Sequence, residues 1–398
     1  MQTIDKSRPP VEWIAHLEKR FPCEREINRV LRRKLLRRAG PPYTPVQLET
    51  LVKGIEGLLR SEIDGEFRLS EPSWLTGGAS KLQMAFKLTW QQPGVGRVST
   101  PMVLRMEPAE SINETSRLRE FQIIKAFEGH IPVPPVYGID EEGKYLPYPA
   151  IIYGFIPGVT KPSGGAGTVS GVGTQFTPEI RSKLIPQFIT YYTQIHRYDW
   201  RQADLGAFDV SAPGTQAAEW QLNWLERLWE EDSNEDVPLL RLAIAWMRKN
   251  MPPAETISVI HSDYRTGNYL YTEHDCQITA ILDWELAHLG DRHEDIAYTF
   301  QKVFGNMDAD GKTFLVCGLM TESEFYEAYE KASGVSVNRK AVDFYRIMGS
   351  CKAAVYTLGT NYRISRGGKT HQDILQAWLL GISYKILETL RLQLEEVI

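Results

Sequence analysis

The stretch VIHSDYRTGNYLY, residues 259–271, places a polar loop between two runs that look like buried strands. The residues before the loop are β-branched and those after it are aromatic or apolar, which is typical of short strands. Within the loop, Asp263 and Asn268 stand five positions apart. Because Asp, Gly and Asn are common turn residues, the loop by itself is also compatible with a simple chain reversal.

The following stretch, ITAILDWELAHLGDRHEDIA at 278–297, contains a second polar end of a strand. Residues 278–282 have the pattern of a buried strand, and Asp283 comes directly after them. We therefore expect one hairpin to bring Asp263, Asn268 and Asp283 to one place.

Phosphoryl transfer is the chemistry that needs these three side chains together. A carboxylate at Asp263 would accept the proton of an attacking hydroxyl and orient it, as a catalytic residue. The oxygens of Asn268 and Asp283 are hard ligands suited to Mg²⁺, which in such enzymes bridges the phosphates of ATP.

Composition sets the broad class of the protein. The chain has 398 residues, 42% hydrophobic and 24% charged, with a formal charge of −5. This balance predicts a globular protein with no nucleic-acid partner, since a nucleic-acid binder usually carries a basic stripe. Four cysteines occur without a CxxC spacing, and no apolar run has the length of a signal peptide or membrane span. We expect a cytoplasmic protein with no membrane contact.

Hydrophobic periodicity divides the chain into three parts and predicts an α+β protein. Residues 1–65 form a helical N-terminal extension, 66–158 a small, mostly antiparallel sheet with one helix, and 159–398 a larger helical lobe. The glycine-rich stretch 158–175 is expected to be a flexible loop or linker. A cleft between two such lobes is a natural place for a ligand.

The N-terminal segment INRVLRRKLLRRAG, residues 27–40, is strongly basic. We predict that its cations form a solvated helix face; the alternative is a patch for an anionic partner or a phosphorylated substrate tail. The cations are Arg29, Arg32, Arg33, Lys34, Arg37 and Arg38.

Protein kinases share the spacing of the central motif but not its surroundings. They use H-R-D-x-x-x-x-N and then an Asp at the end of the next strand. Here His261-Ser262-Asp263 and Asn268 match the first part, and Asp283-Trp284-Glu285 stands in place of D-F-G. No A-P-E follows, which favours the small-molecule branch of the kinase-like superfamily.

The two motifs together resemble those of the aminoglycoside phosphotransferase family. HSDYRTGNYLY is similar to its H-G-D-x-x-x-x-N-x-x, and ILDWELAHLGDRHEDIA is similar to its I-D-W-x-x-x-x-x-G-D-x-x-x-D-L-A. The Asp-Trp-Glu form followed by Leu-Gly-Asp most resembles the subgroup related to the kinase-like domain of certain acyl-CoA dehydrogenases. The resemblance covers roughly residues 66–300 by motif.

This resemblance implies a two-lobed protein-kinase-like fold and a nucleotide site in the small lobe, with ATP and Mg²⁺ as cofactors. Arg105 falls where the family binds the nucleotide phosphates, and Glu120 matches the helix carboxylate that pairs with that cation; an ordinary surface pair is the alternative. The hinge from Tyr153 to Ile156 would bind adenine through its backbone. A glycine loop over the phosphates would be formed by Gly77, Gly78, Ala79 and Ser80.

Four further residues match the motifs, but we expect no catalytic role for them. We expect His261 to brace the loop by hydrogen bonding, Asp295 to tie the loop to a helix start, and His196 to pack in the interior. Asp291 would either touch substrate or metal, or cap a helix.

Three alternatives remain beside a kinase for a hydroxy acid or hydroxyacyl-CoA, which is the favoured small-molecule acceptor. The first alternative is that the acceptor is an aminoglycoside, although such polycations need an acidic pocket and the N-terminal segment is basic. The second alternative is that the protein is a nucleotide-binding module without catalysis. The third alternative is a metal-dependent hydrolase, with metal ligands among His261, Asp263, Asp283, His288, Asp291 and His293.

Overall fold

The computed structural model describes residues 4–75, 80–163 and 171–398. Of the predicted glycine loop, Gly77, Gly78 and Ala79 therefore lie outside the described residues, as does the middle of the glycine-rich stretch, 164–170. The described chain forms a small lobe built on one antiparallel sheet and a larger, mostly helical lobe, which confirms the predicted α+β class and two-lobed arrangement.

Three helices precede the sheet: α1 (Val11–Arg20), α2 (Arg25–Arg37) and α3 (Leu48–Glu62). The apolar residues of α3 recur at helical spacing, and Leu51, Ile55 and Leu58 share a buried core with the strands that follow. The boundary predicted at residue 65 stays a prediction, and α3 packs as one layer of the small lobe.

The small lobe has a five-stranded sheet in the order β1-β2-β3-β5-β4, with every neighbouring pair antiparallel. Leu104 and Met106 of the third strand belong to the core shared with α3. Because successive side chains of a strand point to opposite faces, Arg105 faces away from that core. The elements are β1 (Arg68–Trp74), β2 (Leu82–Gln92), β3 (Gly96–Met106), helix α4 (Arg117–Phe127), β4 (Val136–Asp140) and β5 (Ala150–Gly154).

The larger lobe surrounds a second, larger core. None of the helices in the described part of the chain has both the length and the apolar character to cross a membrane. The helices are α5 (Pro178–Arg197), α6 (Gln216–Asp232), α7 (Pro238–Lys249), α8 (Arg292–Thr299), α9 (Glu322–Ser333), α10 (Arg339–Ala354), α11 (Tyr362–Gly367), α12 (Asp373–Leu379) and α13 (Ser383–Glu395), with a π-helical segment at Val355–Asn361. The short strands are β6 (Ser258–Ile260), β7 (Tyr269–Tyr271), β8 (Ile278–Ile281), β9 (His288–Gly290), β10 (Asn306–Met307) and β11 (Phe314–Leu315).

The expected hairpin forms between β7 and β8, which bring Asn268 and Asp283 together, but the strand before Asp263 is not part of it. β6 pairs with β9, and β7 pairs with β8, so two antiparallel ribbons lie side by side. The chain changes direction between β6 and β7 at Ser262, whose backbone is left-handed with φ of 65°. The strand that follows Asp283, β9, is the partner of β6. The polar loop between β6 and β7 is therefore fixed by one ribbon at each of its ends.

The connection between the lobes is fastened to the second ribbon. After β5 the chain crosses to the larger lobe, and Val159 exchanges two backbone hydrogen bonds with Tyr271, of 2.9 and 3.0 Å. Tyr271 is the last residue of β7. The connector thus lies directly against the ribbon that carries the polar loop.

The basic segment is not simply a solvated helix face, because α2 joins the two lobes through ion pairs. On one side Arg29 pairs with Glu141 (2.8 Å) and also with Glu142, in the loop between β4 and β5. On the other side the fully buried Lys34 lies 2.6 Å from Glu231 at the end of α6. The sequence pattern could not show this, since both sets of carboxylates lie far away along the chain.

Gly267 lies in the loop between β6 and β7, and substituting it tests how closely Gly171 approaches that loop. Its φ is +100°, and an added Cβ would lie 2.7 Å from the Cα of Gly171. Gly214 has a similar φ of +109° and open space around it. We expect Gly214→Ala to cost about 1 kcal/mol in unfolding free energy from backbone strain, and Gly267→Ala about 1–3 kcal/mol more from crowding. Urea unfolding of both variants measures the difference; equal losses would contradict the close approach.

Candidate active site

The polar loop begins on a buried carboxylate. Asp295, in the first turn of α8, accepts the backbone N–H groups of His261 (2.7 Å) and Ser262 (2.6 Å). His196 lies 3.1 Å from the same carboxylate, and its other ring nitrogen contacts the Tyr329 hydroxyl at 2.8 Å. Asp295 ties the loop to the helix start as expected, and His196 supports that carboxylate in addition to packing.

His261 connects the loop to the strand before Asp283. Its Nε2 lies 2.9 Å from the carbonyl oxygen of Leu282, and its Nδ1 accepts the backbone N–H of Asp263 at 3.2 Å. Burial lowers the pKa of the imidazole, so the ring is neutral and makes one bond as a donor and one as an acceptor. His261 braces the loop, as predicted.

Ser262 stands where the family motif has glycine. Its φ of 65° is a conformation that glycine adopts at little cost. The Ser262 hydroxyl lies 3.2 Å from Nδ1 of His288, and that contact accompanies the two backbone bonds to Asp295. The departure from the motif therefore keeps the backbone shape that glycine would provide.

Asp263 projects from this braced backbone with a side chain that is 17% exposed. Arg265 donates from Nε to its Oδ1 at 2.7 Å. Burial and the charge of Asp283 raise the pKa of Asp263, and Arg265 offsets part of that rise. The Tyr298 hydroxyl faces the same carboxylate, and burial together with the charge of Asp263 raises the pKa of that phenol well above its usual range.

Asn268 is placed beside Asp263 on one side and beside Asp283 on the other. Its side-chain Nδ2 donates to the backbone carbonyl of Asp263 at 2.9 Å, which leaves Oδ1 pointing away. Its own backbone carbonyl accepts the N–H of Leu282 at 2.8 Å. The pairing of β7 with β8 thus brings Asn268 next to the residue before Asp283.

Asp283 lies two residues after the end of β8 and is left-handed, with φ of 61°. Its side chain is 39% exposed, and Oδ1 accepts from Arg105 at 2.5 Å. The second carboxylate oxygen has no hydrogen bond from the described residues. Two oxygen donors, from Asn268 and Asp283, together with an exposed carboxylate edge fit a hard divalent cation such as Mg²⁺.

Arg105 reaches this carboxylate from the other lobe. Its side chain is 4% exposed and lies 3.4 Å from Glu120 and 3.3 Å from Glu285, besides its contact with Asp283. Burial alone would lower the pKa of the guanidinium, but the three carboxylates outweigh it and raise the pKa well above its usual range. Arg105 and Glu120 are buried, which argues against an ordinary surface pair.

Glu285 belongs to the same cluster, although the motif analysis gave it no role, and neither did it give one to Lys81 or Arg117. Its Oε2 lies 3.1 Å from Lys81 and 3.2 Å from Arg117, and its Oε1 accepts the Ser80 hydroxyl at 3.2 Å. Burial would raise the pKa of this carboxyl group, but the surrounding cations hold it well below its usual range. The sequence signal that could have identified Glu285 is its charge directly after Trp284, a residue that is buried. Glu285 links the end of the glycine loop to the loop of Asp283.

The hinge contributes one side chain to the cluster and leaves few backbone groups free. Burial raises the pKa of Tyr153 to about 12, and the neighbouring charges include Arg105 and Asp283. The N–H groups of Gly154 and Phe155 donate to carbonyls of Pro135 (2.8 Å) and Pro101 (2.9 Å). An adenine would therefore meet the backbone at Ile156, which is partly exposed.

The imidazoles do not gather around a metal. Within the described ranges, no three His, Cys, Asp or Glu side chains are arranged to hold an ion. His288 instead contacts Glu294 at 3.1 Å, and His293 contacts Asp291 at 2.5 Å. Asp291 also caps α8 through the backbone N–H of His293 at 3.1 Å. These contacts oppose the metal-hydrolase alternative.

Comparison with known proteins identifies the family and the fold. Residues 85–345 match the model of the phosphotransferase enzyme family. A crystal structure from Ralstonia eutropha JMP134, solved as a candidate aminoglycoside phosphotransferase, superposes with a TM-score of 0.63 at 20% identity, covering 86% of this chain and 98% of that one. A choline kinase from Cryptosporidium parvum superposes with a TM-score of 0.52 at 13% identity, covering 88% and 96%. Both show the kinase-like fold.

A curated relative shares part of the sequence. Acyl-CoA dehydrogenase family member 10 of Mus musculus is 23% identical over 254 residues, or 63% of this chain. The match covers only 22% of that relative's length. The matched part of the chain therefore spans about a fifth of that protein.

Replacing Asp295 should destabilise the whole loop. In Asp295→Asn the amide has one acceptor oxygen for three donors, so we expect unfolding free energy to fall by about 2–4 kcal/mol. Chemical denaturation measures this change. The matched control is Asp373→Asn, an exposed position that should change stability by less than about 0.5 kcal/mol. A loss as small as that of the control would contradict the bracing role of Asp295.

Arg265 should set the pH at which Asp263 ionises. Because its positive charge lowers the pKa of Asp263, Arg265→Gln should raise that pKa and move the acid limb of the pH–activity profile to higher pH. Arg265→Lys retains the charge and should leave the limb closer to its original position. The measurement is kcat/KM against pH for the three proteins. An acid limb that stays in place in Arg265→Gln would show that Asp263 is not the titrating group.

Proposed function

Because this chain belongs to the phosphotransferase enzyme family, we propose that it transfers the γ-phosphoryl group of ATP to a hydroxyl group of a small molecule. The main support is the convergence of Asp263, Asn268 and Asp283 at the ends of two paired ribbons, with Arg105 reaching Asp283 from the other lobe. This arrangement supports phosphoryl transfer, which needs a carboxylate for the hydroxyl, oxygen ligands for Mg²⁺ and a cation for the phosphates.

Asp263 would act on the acceptor. Its carboxylate would take the proton of the hydroxyl as the oxygen–phosphorus bond forms, and the bond from the γ-phosphorus to the bridging oxygen would break to leave ADP. The braced backbone from His261 to Asp263 holds this carboxylate in place, which contributes to rate by positioning rather than by covalent chemistry.

Asn268 and Asp283 would hold Mg²⁺, and Arg105 would bind the phosphates of ATP. When bound, Mg²⁺ offsets the negative charge of the phosphate oxygens. Glu120 and Glu285 hold the Arg105 side chain in a fixed position, and Ser80 connects Glu285 to the glycine loop. We assign Gly77, Gly78 and Ala79 to the phosphate cover on the family motif alone, and Tyr153 and Ile156 to the adenine side.

A hydroxy acid or a hydroxyacyl-CoA is the acceptor class we favour. Arg265 lies beside Asp263, so the acceptor would approach a carboxylate whose charge is already balanced by a cation. Such a site suits a neutral or anionic acceptor better than a polycationic aminoglycoside. The curated relative is named as an acyl-CoA dehydrogenase family member, which agrees with an acyl-type acceptor.

ADP release with Mg²⁺ and ATP across an acceptor panel tests the proposal. The panel comprises hydroxy acids, hydroxyacyl-CoAs, choline, simple sugars and aminoglycosides. We expect release that depends on a hydroxy acid or hydroxyacyl-CoA. Asp263→Asn and Asp283→Asn should each reduce the rate by about a hundredfold or more, and Asn retains the left-handed backbone at position 283.

The outcomes separate the alternatives. Asp373→Asn, at an exposed helix start, is the matched control and should keep the full rate. Full activity in Asp263→Asn would overturn the mechanism. Release with aminoglycosides alone would replace the acceptor class, and MgATP binding without release on any acceptor would favour the non-catalytic module.

A further inference from the structure

A large cavity lies apart from the catalytic side chains. Its volume is about 880 Å³, and none of Asp263, Asn268 and Asp283 lines it. The N-terminal segment, the end of α2, the loop after α6 and helix α11 form its walls. The charged residues that matter here are Lys6, Arg38, Asp232, Arg363, Arg366 and Lys369.

The floor of the cavity is a network of buried ion pairs around Asp232. The buried carboxylate of Asp232 is shared among Lys34 (3.4 Å), Arg38 and Arg363 (2.8 Å). Glu110 pairs with Arg363 as well. Lys34 also pairs with Glu231 at 2.6 Å, so three cations face three carboxylates and the floor is close to neutral.

Three more cations on the wall have only neutral oxygens as hydrogen-bond partners among the described residues. Lys6 donates to the carbonyl of Ser233 at 2.7 Å. Lys369 donates to the carbonyls of Gly40 and Pro41. Arg366 donates to the Tyr362 hydroxyl at 2.5 Å. Burial lowers the pKa of Lys369 and of the half-buried Lys6, and for Lys6 the charges of Glu230 and Asp232 offset part of the fall.

The other carboxylates on the wall do not supply a counter-charge to these three cations. Asp5 accepts from the Ser7 hydroxyl at 2.6 Å, and Asp236 pairs with Arg241 at 2.5 Å. Glu235 is exposed to solvent, where its charge is screened.

Two buried guanidinium nitrogens of this wall, Nε of Arg38 and Nη2 of Arg363, find no hydrogen-bond partner within the described ranges. Arg38 is 5% exposed, so its unpaired N–H has no compensating contact with bulk water. A buried N–H group of this kind needs an acceptor, which ordered water or a ligand would supply.

From these contacts we infer that the cavity is a second binding site, separate from the proposed active site, for an organic phosphate. Arginine and lysine side chains donate to phosphate oxygens, and Lys6, Arg366 and Lys369, which bond only neutral oxygens among the described residues, match the negative charge of a phosphate ester. The volume is within the range of small-molecule sites and well above what one phosphate group fills. Ile4, Pro42 and Tyr362 offer apolar wall to the organic part of the ligand.

Calorimetric titration with inorganic pyrophosphate tests the site in the full-length protein. The buffer lacks divalent cations and keeps ionic strength constant with sodium chloride, so that general screening does not change between injections. We expect one binding event, and a rise in melting temperature with pyrophosphate concentration. Arg366→Gln and Lys6→Gln should each weaken binding about tenfold, because each removes a charge-assisted hydrogen bond.

The controls locate the binding. Arg391→Gln removes a surface arginine on α13, outside the cavity, and should leave the affinity unchanged. Arg366 is exposed and Lys6 holds one carbonyl, so neither variant should prevent folding, which circular dichroism checks. Absence of binding, or equal affinity in wild type and both cavity variants, would overturn the site. Neither result depends on whether the protein transfers phosphate.

Discussion

The buried guanidinium of Arg105 is the contact on which the arrangement of the two lobes at the cleft depends. It leaves the sheet of the small lobe and meets Glu120 of α4, Asp283 and Glu285 of the larger lobe. Removing a charge from water is costly unless it is paired and hydrogen-bonded, so these carboxylates must lie where they do as long as Arg105 is buried. The same contacts place Asp283 next to Asn268 and Asp263, which positions the proposed active site.

The polar loop depends on a second buried charge in the same way. Asp295 accepts two backbone N–H groups, and His261 connects the loop to Leu282. The left-handed residues Ser262 and Asp283 stand on either side of this arrangement. Strained backbone persists only where surrounding contacts determine it, and here those contacts hold the carboxylates in the cleft. Positioning of this kind suits phosphoryl transfer, in which the protein mainly orients groups and stabilises charge.

Much of the site was predictable from local sequence. The spacing from Asp263 to Asn268 and the Asp283 that ends a strand pattern were sufficient to bring these residues together, because short strands and their ends follow from period-two patterns and turn residues. The pairing was not predictable: β6 joins β9 rather than β7, since strand partners are chosen by packing across the core. Glu285 was missed because its partners Lys81 and Arg117 lie about 170 to 200 positions away.

The sequence by itself determined the α+β class, the two-lobed order and the residues of the polar loop. These follow from periodicity, turn chemistry and motif spacing, which act over a few residues. Only the tertiary structure decided how the cations of α2 are used. Arg29 reaches the small lobe, whereas Lys34 and Arg38 are buried against Glu231 and Asp232. Charge pairing depends on distance in space and on burial, and a linear sequence encodes neither for residues far apart.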